Sequence, residues 1–76
     1  MIPKGTVSVL REKYQALAPL MDERVRRQWA ATEAQALGWG GTTAVAEATG
    51  LSRTTIRSGI AELHDPRPDP PPGGGV

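Results

Sequence analysis

The sequence predicts an all-α fold: a small bundle of about four helices with a helix-turn-helix at its C-terminal end, followed by a disordered Pro/Gly tail. Apolar residues recur at steps of three and four, the spacing of one helix face. The 76 residues contain no phenylalanine, and no alternating β-branched run supports a strand. Clusters of glycine and proline separate the periodic segments, where they serve as turns and stops.

Composition narrows the classes. A chain of 76 residues has room for one small domain and too little for an enzyme built on a barrel or a doubly wound sheet. Cysteine is absent and His64 is the lone histidine, so no thiolate or histidine metal site is expected and no cofactor is implied. No apolar stretch reaches the ~20 residues that span a bilayer. The opening Met-Ile-Pro-Lys-Gly has no apolar region behind it. A cytoplasmic chain without a membrane partner is the expectation.

Residues 1–7 read as an N-terminal arm. Ser8 is placed to cap a first helix whose Leu10, Tyr14 and Leu17 share a face, and Pro19 ends it. Asp22 is placed to cap a second helix that runs to Leu37, with Glu23 complementing its positive end. Val25, Trp29, Thr32 and Ala36 give that helix a core-facing stripe, and Arg24, Arg26 and Arg27 are expected to pair within it. Gly38 suits the C-terminal stop, and Gly40-Gly41 continue the break. Trp39 is expected to pack over the end of the bundle. The helical domain thus covers residues 8–63. From His64 to Val76 the chain is dominated by proline and glycine, with Val76 its one apolar residue. Such a segment cannot bury enough apolar surface to offset its ordering cost, so residues 64–76 read as tail.

Residues 42–63, TTAVAEATGLSRTTIRSGIAEL, carry the most information. Two helical patterns meet at the three-residue break Gly50-Leu51-Ser52. A helix-turn-helix needs a small residue where its helices cross, and Ala46 fits. Four residues on, the turn demands a left-handed backbone, which glycine adopts without a Cβ penalty, and Gly50 stands there. Leu51 then fills the gap between the helices, and Ile56 anchors the second one together with Ile60 and Leu63. Gly59 occupies a place where a larger apolar residue is commoner.

With that apolar face turned inwards, the opposite side of the second helix shows Arg53, Thr54, Arg57, Ser58 and Ala61. Arginine binds guanine edges or phosphate with two parallel donors, and threonine reaches a thymine methyl or a phosphate. Ser52 at the helix start leaves backbone amides open to a phosphate. The expected DNA-binding set is therefore Ser52, Arg53, Thr54, Arg57 and Ser58. Charge sets a limit on this. The net charge is +1, and residues 42–63 balance Arg53 and Arg57 against Glu47 and Glu62. A neutral unit engages few phosphates, so binding by one copy should be weak.

The run ALGWGGTTAVAEATGLSRTTIRSGIAEL resembles the N-terminal segment of the ISAzo family of insertion-sequence transposases. The preceding LREKYQALAPLMDERVRRQWAATEAQALG resembles the stretch before the helix-turn-helix in that family, so the likeness extends from Ser8 to Leu63. Its distinctive pieces are Asp22-Glu23-Arg24 with Arg26-Arg27, Ala36-Leu37-Gly38 with Gly40-Gly41, and Thr49-Gly50-Leu51-Ser52-Arg53 with Thr55-Ile56-Arg57. The resemblance implies a module that recognises element-end DNA and delivers it to a metal-dependent DDE catalytic domain. Two departures stand out. Ser58 replaces a second arginine common in the family, and PPPGGGV stands where a Gly/Arg-rich arm usually follows. The acidic triad lies outside these residues, and no carboxylate pair here is placed for acid–base chemistry. A truncated, non-catalytic module of such a transposase is the expectation, with double-stranded DNA as partner and a second copy or a catalytic half as further ones. A stand-alone helix-turn-helix transcription regulator and a helical protein-interaction module are the other readings.

Overall fold

The computed structural model describes residues 2–64, so the expectation for the tail beyond His64 lies outside the described residues. Four α-helices follow one another: α1 (Lys4–Leu17), α2 (Glu23–Leu37), α3 (Gly41–Thr49) and α4 (Arg53–His64), with a single 3-10 turn, Ala18–Leu20, between α1 and α2. Among the described residues there is no strand, so the fold is the small all-α bundle the sequence predicts. α2 packs against both α3 and α4, and α3 also meets α1 and α4.

α1 begins earlier than expected, and residues 4–7 are helix instead of arm. Pro3, at φ −63° and ψ 150°, precedes the first turn and its carbonyl accepts from the Thr6 amide at 3.0 Å. Ser8 therefore lies inside the helix and caps nothing. The reason is Val7, which packs against the core with Leu10 and extends the apolar face one turn back. At the other end Leu17 is 38% exposed, because the helix gives way there to the 3-10 turn around Pro19. The Arg26 guanidinium closes this connection, donating through Nε (3.1 Å) and Nη2 (2.7 Å) to the Ala18 carbonyl. Arg26 thus bonds back to the preceding turn, where pairing within α2 was expected.

Asp22 caps α2 as the sequence indicates, its Oδ1 accepting from the Val25 amide at 2.8 Å. The buried face of α2 is a different one from the stripe read in the sequence. Ala30, Ala31 and Ala34 are buried, with Trp29 and Leu37 partly buried beside them, whereas Val25, Thr32 and Ala36 are exposed. Backbone proximity explains this, because α3 and α4 approach α2 so closely that only small side chains fit between them. The Trp29 ring meets Tyr14 of α1 with centroids 5.7 Å apart.

Gly38 ends α2 at φ 76°, and its amide reaches the carbonyls of Ala34 and Gln35. Gly40, at φ 81°, starts α3, of which Gly41 is already the first, buried residue instead of part of the break. A Cβ on Gly41 would lie 2.2 Å from the Ala34 carbonyl oxygen. Trp39, between these turns, is 87% exposed. It does not cover the bundle's end. His64 belongs to α4 rather than to a tail, and its ring hydrogen-bonds the Gln35 side chain of α2.

The core is small. Leu10, Ala30, Ala34, Val45, Ala48 and Ile56 form it, and Ile56 and Val45 are its largest fully buried side chains. Where α4 crosses α2, a Cβ on Gly59 would stand 2.7 Å from the Arg27 carbonyl oxygen and 2.9 Å from the Ala31 Cβ. Replacing Gly59 with alanine gains about 1 kcal/mol of helix propensity, yet it pushes α4 off a rigid backbone, and overpacking of that kind costs about 1–3 kcal/mol. Gly59→Ala should therefore lower stability or leave no gain, whereas Gly5→Ala, with open space around it, should be neutral or stabilising. Urea unfolding of the two variants measures the difference.

Candidate nucleic-acid interface

The turn between α3 and α4 is built from local hydrogen bonds. Gly50 sits at φ 80° and ψ −1°, and its amide donates to the Ala46 carbonyl at 2.9 Å. The Thr49 hydroxyl donates to the Val45 carbonyl at 2.8 Å and accepts from the Leu51 amide at 3.1 Å. Ser52 then caps α4. Its Oγ accepts from the Thr55 amide at 3.0 Å, and its hydroxyl donates to Thr55 Oγ1 at 2.8 Å. Leu51 packs against the core from the turn, and Ile56 is wholly buried beneath α4. Gly50, Leu51 and Ile56 thus take the positions read from the sequence. Ala46 is partly buried against the core, and the close backbone approaches at Gly41 and Gly59 are both to α2.

Ser52, Arg53, Thr54, Arg57 and Ser58 are all exposed, along with Ala61. The inward side of the same helix holds Ile56, Gly59 and the partly buried Ile60. Leu63, expected to face inwards, is 38% exposed at the helix end. Arg53 and Arg57 stand one turn apart on the outer face. Neither guanidinium has a hydrogen-bond or ion-pair partner among the described residues. The helix thus shows two uncommitted guanidiniums one turn apart with Thr54 exposed beside them, while the Ser52 hydroxyl is taken up in the cap and Ser58 borders a hollow shared with Tyr14, Arg27 and Glu62.

One contact absent from the sequence reading sharpens this electrostatically. Arg27 of α2 grips Glu62 of α4 through two parallel bonds, Nε to Oε1 and Nη2 to Oε2, each 3.1 Å long. Pairing of Arg27 within α2 was the expectation. Instead the two-pronged geometry ties α4 to α2, and a partly exposed pair of this type stabilises by about 0.2–1 kcal/mol. It also answers the charge of Glu62, the one acid on α4, with a cation from another helix. The outer face of α4 is consequently basic, although residues 42–63 sum to zero.

No family model, curated protein or solved structure matches the chain.

No atom lies within 4 Å of the place a Gly50 Cβ would occupy, so a substitution there meets backbone strain without a clash. Gly50→Val should cost at least ~1 kcal/mol, because a β-branched residue is strained in the left-handed region. Gly50→Asn should cost less, since asparagine visits that region more readily. Thermal melts of the two variants would reveal the order, and equal melting temperatures would contradict the turn.

Proposed function

We propose that this chain is a DNA-binding module that reads double-stranded DNA through a helix-turn-helix, with α4 in the major groove. The observation that carries the reading is the outer face of α4, where Arg53, Thr54, Arg57 and Ser58 stand unburied behind a left-handed Gly50 turn and a Ser52 cap. Ile56 and Gly59 seat the helix so firmly that this face has no competing role in the core. The likeness of Ser8–Leu63 to the ISAzo transposases supports a more specific role, recognition of element-end DNA on behalf of a DDE catalytic domain. In that role the chain itself is not an enzyme, and it joins the nucleoid when bound to DNA.

The placement divides labour between the two arginines. Arg53 lies in the first turn of α4, next to the amides that favour a phosphate, and positions the helix. Arg57, one turn along, reaches a base edge. Two basic side chains cover few phosphates, so useful affinity requires a second copy or DNA contacts from a linked domain.

Selected duplexes titrated at several salt concentrations test this assignment. Arg57→Ala should cost about 1–3 kcal/mol and relax the preference at one base pair, while Arg53→Ala should weaken all sequences alike and reduce the salt slope by about one. Parental binding by both variants would remove α4 from the groove and favour a protein-interaction module.

Catalysis is tested separately. Among the described residues no group of three His, Asp or Glu side chains is placed to hold a metal ion, and two-metal strand cleavage needs such carboxylates. Supercoiled plasmid incubated with the purified chain and magnesium or manganese should stay intact. Metal-dependent nicking that co-purifies with the chain would overturn the non-catalytic reading.

A further inference from the structure

Outside α4, the most exposed large apolar side chain is Trp39, held between the two positive-φ glycines Gly38 and Gly40. It does not stand alone. Trp39 shares a shallow hollow with Ile2, Val7, Thr43, Ala44 and Glu47, formed where the start of α1 meets α3. The indole is 87% exposed, so its face is open to a ligand. Glu47 lines the same hollow, and its carboxylate has no ion-pair partner among the described residues; the nearby Arg11 guanidinium donates to the Glu47 backbone carbonyl at 3.4 Å.

We propose that this hollow is a docking site for a basic peptide segment of a partner protein, seating one arginine or lysine over Trp39 with Glu47 as its counter-charge. A cation is attracted to the face of an indole more strongly than to the other aromatic rings. Ile2 and Val7 offer apolar surface for the aliphatic stem of that side chain, which long basic residues bury while their charged heads stay solvated. The same carboxylate argues against nucleic acid as the occupant, since it repels a phosphate brought to the indole. The site is thus separate in chemistry from the α4 face, and it stands whether or not α4 binds DNA.

The test uses the whole chain, labelled with nitrogen-15, and two synthetic peptides, acetyl-Ala-Leu-Arg-Leu-Ala-amide and the same peptide with glutamate for arginine. Added to the protein, the arginine peptide should shift the Trp39 indole signal and the amide signals of Thr43 and Glu47 saturably, and the glutamate peptide should not. Trp39→Ala and Glu47→Gln should each weaken the arginine peptide about threefold or more, within the range expected for one cation–aromatic contact or one exposed charge pair. Both side chains are exposed, so melting temperatures should hold and separate lost docking from lost folding. Equal shifts from the two peptides, no shifts at millimolar peptide, or unchanged affinity in both variants would overturn the proposal. So would movement of these signals on adding duplex DNA together with weaker DNA binding by Trp39→Ala, which would give the indole to the nucleic-acid surface instead.

Discussion

The close approach of α4 to α2 governs the rest of this small domain. Gly59 lets the two backbones come within side-chain distance, its position facing the Arg27 carbonyl and the Ala31 Cβ. That contact sets the rotation of α4 about its own axis. Ile56 is driven fully into the core on one side, Arg27 reaches Glu62 at the edge, and Arg53 and Arg57 are left on the side away from α2. A larger residue at 59 would displace the helix from α2, and with it the geometry of the surface offered to a partner. Packing at one glycine and presentation at two arginines are therefore the same structural fact seen from opposite faces.

Such proximity has an energetic side. Alanines make up much of the buried core, and each removes little apolar surface from water compared with leucine or isoleucine. Stability must then come from many close contacts and from well-satisfied helix ends. The structure meets this need locally. Asp22 and Ser52 cap α2 and α4, Gly38 and Gly50 close α2 and α3, and Arg26 binds the carbonyl that ends α1. Each cap contributes on the order of 1 kcal/mol, a substantial share in a domain this size. Among the described residues no buried side-chain polar atom lacks a hydrogen bond.

What could be read in the sequence was whatever short-range stereochemistry dictates. The Asp22 and Ser52 caps, the Gly38 stop and the left-handed Gly50 turn depend on residues within one helical turn, and they stand where the pattern put them. The exposed side of α4 was legible for the same reason, since Ile56 and Arg57 are adjacent positions on a regular helix. The face of α2 was not. Apolar periodicity weights Val25 and Trp29 heavily and alanine lightly, yet the partners of α2 are two backbones that admit only small side chains. Gly59 looked like a weakness of the motif because its counterpart, Ala31, is 28 residues away, and local spacing carries no record of it. The Arg27–Glu62 pair is equally invisible to local spacing, as both residues have plausible partners nearby in the chain. Trp39 inverts the usual expectation for a large aromatic, standing exposed between two glycines of positive φ.

The two tryptophans consequently report on different events. Trp29 leans on Tyr14 where α1 meets α2 and is partly buried, so its emission follows the loosening of that junction. Trp39 is almost fully hydrated in the native state, and unfolding changes its surroundings little. A collisional quencher such as acrylamide should reach the second before the first, splitting the native fluorescence into an accessible and a sheltered fraction. The domain thereby carries one intrinsic optical probe of its interior and another of its surface, distinguishable without any label.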